Sequence, residues 1–138
     1  MATGVYNRGK ALLLNGGLDL DTQDIRVLLV SASYTFNPDH NFVADITNEL
    51  SGTGYVRKEL ANETVTEDDT NDRAVFDADD VVWTGADFGS PAMFIVYRQV
   101  TNDADSPLIC CGDISPVVAT NGGDFTLAFS ANGILRAS

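Results

Sequence analysis

Residues 73–84 read Arg73-Ala74-Val75-Phe76-Asp77-Ala78-Asp79-Asp80-Val81-Val82-Trp83-Thr84, two short runs of β-formers on either side of an acidic step. Ala74-Val75-Phe76 and Val81-Val82-Trp83 have the β-branched and aromatic content that suits a pleated, half-buried surface. The carboxylates between them cannot enter a core unpaired. The segment predicts strand, acidic turn, strand over about 73–77 and 80–84. Phe76 and Trp83 are then core anchors, and Asp77, Asp79 and Asp80 keep the turn in water or face a basic partner.

The same punctuation runs along the chain. Ile25 to Ala32 is near-continuously apolar, which predicts a strand buried on both faces. Residues 54–60 alternate and read as a strand, which Thr64 to Thr66 extends or pairs with. Residues 92–99 (AMFIVYRQ) are the strongest strand, central in its sheet, and 107–112 returns as another. Asn121-Gly122-Gly123 matches the positive-φ demand of a tight hairpin. Phe125, Leu127 and Phe129 alternate with polar or small residues as a strand with one buried face, and 134–136 closes the chain as a short strand. Helical spacing occurs in 5–14, where Val5, Leu12 and Leu13 form a stripe, Gly9 weakens the pattern and Asn15-Gly16-Gly17 supplies the stop. A further helical turn or two is expected within the irregular stretch 33–53.

About eight close-set strands punctuated by Gly, Asn and Asp predict an all-β fold: a single antiparallel β-sandwich domain over 1–138, jelly-roll-like, with a short N-terminal helix and turn in 1–17. At 138 residues, 44% hydrophobic and 20% charged, the chain is long and apolar enough to build one core. Twenty acids against eight Lys and Arg give a formal charge of −12. That balance disfavours nucleic acid, whose phosphates require a basic stripe, and an anionic membrane surface. The apolar run behind Arg8 and Lys10, Ala11 to Leu14, is too short for a secretory segment, and no stretch is long enough to span a bilayer, so cytoplasmic synthesis is expected.

Catalytic residues are expected to be absent. The single histidine, His40, sits in a polar loop and reads as solvated, and no Gly-x-Ser-x-Gly elbow accompanies it; Gly89-Ser90-Pro91 suits a turn. Cys110 and Cys111 are adjacent in an apolar strand, pointing to opposite faces, and read as buried free thiols. Gly52-Thr53-Gly54 lacks a third glycine and a P-loop lysine. No cofactor and no metal set is expected: the acidic windows Asp19/Asp21/Asp24, Glu67/Asp68/Asp69/Asp72, Asp77/Asp79/Asp80 and Asp103/Asp105 all depart from the calcium-loop pattern. They read as solvated turns, with a calcium ion at an interface as the alternative. Twenty acids on a small domain also make any glycosidase-like carboxylate pair uninformative.

Several segments taken together carry a resemblance. They are Gly54-Tyr55-Val56-Arg57, Phe76 to Trp83, Ile95-Val96-Tyr97, Ser106-Pro107-Leu108-Ile109 and Asn121 to Thr126, with the opening Val5 to Lys10 leading to Ile25 to Val30. In this combination the chain resembles small virion structural proteins of tailed bacteriophages, over almost its full length. The resemblance implies a non-enzymatic, β-rich protein present in many copies, with no catalytic residue to carry over. The role it favours is capsid decoration, or cement: binding and stabilising the assembled shell of major capsid protein from outside, often as symmetric trimers. Tail, head-fibre and head–tail connector components share similar small β-sandwiches and are the alternative within the class. A calcium-dependent carbohydrate-binding module or a small acidic-site hydrolase is the alternative outside it. The long segments 33–53 and 61–72 are the expected places of partner contact.

Overall fold

The apolar run Met93–Arg98 becomes the middle strand of the largest sheet, as its composition predicts. The computed structural model of the chain describes residues 4–138, and among these it holds ten strands, one α-helix and one 3-10 turn. In chain order they are β1 (Gly4–Val5), α1 (Asn7–Asn15), β2 (Ile25–Val30), the 3-10 turn (Val43–Asp45), β3 (Lys58–Glu59), β4 (Thr64–Asp68), β5 (Arg73–Asp77), β6 (Val81–Trp83), β7 (Met93–Arg98), β8 (Leu108–Asp113), β9 (Phe125–Leu127) and β10 (Leu135–Ala137). A five-stranded sheet runs β1-β8-β7-β2-β3, a three-stranded sheet β10-β5-β4, and a two-stranded sheet β6-β9. Every ladder is antiparallel.

The all-β antiparallel architecture with a short N-terminal helix is therefore as expected. A jelly roll sets two four-stranded sheets face to face; the five-, three- and two-stranded grouping does not by itself establish that arrangement. The acidic step at 77–80 is where the chain leaves one small sheet for the other. β5 pairs with β4 and β10, β6 pairs with β9, and the two do not pair with each other.

The large sheet is covered on both faces, which explains its unbroken apolar strands. On one face Ile25, Val27, Leu29, Phe94, Val96 and Cys110 meet Phe76, Leu135, Val81, Trp83 and Leu127 of the two small sheets. On the other, Leu28, Val30, Ile95, Tyr97, Leu108 and Cys111 meet Tyr6, Tyr34 and Val43. The first cover is made of strands. The second is made of the N-terminal segment and the loop 31–48. Phe76 and Trp83 are the expected anchors, with Trp83 inaccessible to solvent and its indole N–H donating to the Val56 carbonyl at 2.7 Å.

A β-bulge separates the β7–β8 ladder into two registers, Val96 opposite Cys110 and Tyr97 opposite Leu108. The extra residue is Ile109, so Ile109 and Cys110 both lie on the side of the strand-built cover. Helix α1 docks against β8 at this bulge. Tyr6 N–H donates to the Ile109 carbonyl at 3.0 Å, and a Cβ on Gly9 would stand 2.7 Å from that same oxygen. Gly9, which weakens the helix as sequence, is the residue that lets the helix come this close. The helix stops as expected, with Gly16 in the left-handed region at φ 79°.

Other local expectations need correcting. Leu13 is not in the buried stripe: it is exposed, and Leu14 more so at 90%. Of the strand expected over 54–60, only Lys58–Glu59 joins a ladder, with β2. Tyr55 and Arg57 alternate with Val56 because their side chains are committed inward, as described below. Thr64 to Asp68 pairs with β5 and not with 54–60. Asn121-Gly122-Gly123 is a turn without a hairpin, because β8 and β9, the strands on either side, belong to different sheets.

Candidate functional site

The reactive side chains singled out in the sequence are held inside hydrogen-bond networks. His40 lies in a loop and is half-buried. Its Nδ1 lies 3.1 Å from the Tyr34 hydroxyl, which lies 2.8 Å from the Tyr6 hydroxyl. Tyr6 in turn lies with Cys111 in the same buried cluster. The only histidine thus reaches a cysteine only through two tyrosines, which is not the geometry of a Cys–His nucleophile. The loop carrying His40 is clasped to the start of α1, where Asn7 Nδ2 donates to Asp39 Oδ1 at 2.9 Å and Asn7 N–H to the Pro38 carbonyl at 2.9 Å.

Cys110 and Cys111 are both inaccessible to solvent and unbridged. They belong to opposite faces of the large sheet, as the strand alternation requires. Burial pushes the Cys111 thiol up to about 11 and the Cys110 thiol further still. Neither is a thiolate at neutral pH, and the thiolate is the nucleophile. Burial likewise raises the Tyr6 phenol well above its ordinary value, with the Tyr34 hydrogen bond adding to it.

A second network braces the loop-built cover. Arg57 donates through Nε and Nη2 to Glu49 at 2.8 and 2.7 Å, and through Nη1 and Nη2 to Asp103 at 2.7 and 3.1 Å. Tyr55 donates to Glu49 at 2.6 Å and accepts the Leu29 N–H at 3.2 Å. One guanidinium therefore ties residues 49, 57 and 103 together, and its hydrogen bonds hold Asp103 below the usual carboxylate range. Nothing in the local pattern announces this set, because its members are separated by 8 and 46 residues.

The acidic windows resolve into turn chemistry. Asp77 accepts the Ala78 N–H, Asp79 the Asn62 amide and Asp80 the Phe129 N–H, so the step between β5 and β6 is fastened to two other loops. Asp105 accepts the N–H groups of Thr101 and Asn102, and Asp45 those of Asn41 and Phe42; backbone hydrogen bonds lower both carboxyls. Asp68 takes Asn71 and Arg73, which lower it, and Asp24 pairs with Arg26. Asp21 is raised, first by its hydrogen bond with Asp19. Among the described residues no three His, Cys, Asp or Glu side chains are grouped to hold a metal ion. Gly52-Thr53-Gly54 is a backbone junction: Asp87 N–H donates to the Thr53 carbonyl at 2.9 Å, and a Cβ on Gly54 would stand 2.6 Å from the Gly85 carbonyl.

The two segments expected to contact partners behave differently. Residues 33–53 are part of the cover: Val43 and Ala44 donate to the Ser106 and Asp103 carbonyls at 3.0 Å, and Ser31 donates to the Asn48 carbonyl at 3.0 Å. Residues 61–72 include β4, the outer strand of its sheet, with Thr64, Val65, Thr66 and Glu67 all exposed. An open cleft of about 410 Å³ lies between the ends of β7 and β8 and strand β9, lined by Phe94, Leu127 and Phe129. Its polar members Asp113, Ser115 and Thr126 are exposed, so it lacks the buried convergent polar groups of a small-molecule site. No helix among the described residues is long and apolar enough to cross a membrane. No family model, curated protein or solved structure matches this chain.

Proposed function

We propose that this chain is a non-enzymatic virion structural protein of a tailed bacteriophage, a capsid decoration protein that binds the outside of the assembled shell of major capsid protein. The observation that supports this best is the division of labour in the molecule. Its histidine, its thiols and most of its turn carboxylates are used to fasten the body, while the exposed surface carries unsatisfied sheet edge, net negative charge and single aliphatic side chains such as Val56, Val65 and Val118. A body of this kind suits adhesion by a broad surface repeated over many copies, where avidity multiplies a modest contact. The charge of −12 steers such a body toward basic patches on a protein shell and away from nucleic acid. Self-association, as a trimer, belongs to this proposal.

The test is the copy number of the chain in purified particles, by quantitative mass spectrometry against the major capsid protein, followed by its position in a cryo-electron microscopy reconstruction. Copies comparable to the capsid subunit and density on the shell exterior support decoration. A handful of copies per particle, located at the neck or tail, assigns the chain to the connector or tail instead.

A further inference from the structure

Strand β4 ends its sheet, with β5 on one side and, among the described residues, no strand on the other. A row of backbone N–H and C=O groups is therefore open to a further strand. The side chains of this edge are unfinished as well. In the β4–β5–β10 ladders Val65 stands opposite Phe76, and Phe76 opposite Leu135. Phe76 and Leu135 are buried, whereas Val65, on the same face one strand further out, is 49% exposed. One more strand beside β4 would cover Val65 and continue the core-facing layer.

Charge decides which strand fits. Residues 61–72 hold Glu63, Glu67, Asp68, Asp69 and Asp72 and no lysine or arginine. Arg73, opposite Asp68 in the ladder, is bound to it at 2.8 Å. A second copy pairing antiparallel about Thr66 would set Val65 against Glu67 and Thr64 against Asp68, in two chains each carrying −12. That pairing opposes an apolar side chain to a carboxylate and, one step further out, Glu63 to Asp69. Val65 and Glu67 share one face of β4, so a segment with a basic residue two positions to either side of an apolar one meets both needs, the apolar side chain over Val65 and a cation over Glu67.

We infer that β4 is a strand-addition site for an extended, basic segment of a partner protein, taken up by backbone pairing. The inference deepens the shell-binding proposal by naming the chemistry of the contact, and it rests on that proposal only for where the segment comes from.

The test uses the full chain and three synthetic octapeptides: a Lys-Val peptide, Thr-Lys-Thr-Val-Thr-Lys-Thr-Thr, the Glu-Val peptide in which glutamates replace its lysines, and the Lys-Val peptide with every second amide N-methylated. Hydrogen exchange of the 64–68 amides is followed at low and at physiological salt. Saturating Lys-Val peptide is expected to slow exchange of the outward-facing β4 amides by about tenfold or more, with protection weakening as salt rises. The Glu-Val and N-methylated peptides are expected to leave it unchanged, as is Lys-Val peptide added to the doubly substituted Glu67→Lys, Asp69→Lys protein. Equal protection by the N-methylated peptide would reduce the contact to charge alone and overturn the inference. So would no protection by Lys-Val peptide, or a concentration-dependent dimer of the chain alone that protects the same amides. The peptide arms do not depend on the folding of the variant, and none of these outcomes alters the copy number measured in particles.

Discussion

Alanine at position 9 should destabilise this protein, although the same change in the middle of an exposed helix normally stabilises it by about 1 kcal/mol. The new Cβ would lie 2.7 Å from the Ile109 carbonyl oxygen, 2.9 Å from the Ile109 Cα and 3.0 Å from the Leu108 carbonyl oxygen. All three are backbone atoms of β8, so no side chain can swing away. Restoring ordinary contact, which begins at 3.4 Å, requires α1 to withdraw by about 0.7 Å. Overpacking of that kind costs about 1–3 kcal/mol. The withdrawal also stretches the Tyr6 N–H bond to Ile109, worth about 1 kcal/mol. The favourable propensity term is outweighed, and a net loss of about 1–3 kcal/mol is expected, read as a lower urea midpoint at unchanged m-value. The matching control is Gly123→Ala, where nothing lies within 4 Å and φ is not positive; its midpoint should stay put. A Gly9→Ala protein as stable as the parent would refute the docking argument.

Three more outcomes follow from the networks. Arg57→Met leaves Glu49 and Asp103 facing each other without their shared cation; with side chains 25% and 50% exposed, solvent screens part of the loss, and about 2 kcal/mol in urea melts is expected. Asp45, Asp68, Asp103 and Asp105 all have lowered carboxyls, so each contributes stability above the ordinary carboxylate range that disappears as pH falls through its folded-state value. Asp21, raised by Asp19, acts in the opposite sense and favours the folded state only toward acid. The parent should therefore lose stability below about pH 4, and Arg57→Met should show a shallower acid limb because Asp103 loses its main cause of depression; a limb of equal steepness would contradict this. Ellman's reagent at pH 8 should find no reactive thiol in the folded chain and both thiols after unfolding in urea, since Cys110 and Cys111 are buried with raised thiol values.

The long apolar strands were legible in the sequence because burial on both faces leaves few polar interruptions, Arg26 being the one inside Ile25–Val30, and Ile25–Val30, Met93–Arg98 and Leu108–Asp113 all emerge close to their expected limits. Phe76 and Trp83 were legible for a related reason, since large aromatics inside β-branched runs have few places to go but the core. Alternation alone misled at 54–60, where Tyr55 and Arg57 face inward to reach Glu49 and Asp103 and only two residues join a ladder. Periodicity assigns faces but not partners, so it could not show β4 pairing onward with β5, or β5 and β6 parting into separate sheets. The Tyr6–Tyr34–His40 chain and the Arg57 brace were hidden because both depend on contacts between distant parts of the chain. Gly9 was misjudged because its value lies in what it does not carry.

The bulge at Ile109 makes β8 unusual in its tolerance of length change. Removing one residue from the interior of a strand ordinarily turns every later side chain to the opposite face. Here Val96 already faces Cys110 and Tyr97 already faces Leu108, so excision of Ile109 would leave every other pairing along the β7–β8 ladder in place. What the excision would remove is the carbonyl that receives Tyr6 and the backbone on which Gly9 rests. The extra residue is thus dispensable to the sheet and indispensable to the helix, and shortened versions of this strand should occur only in chains that seat their N-terminal segment elsewhere.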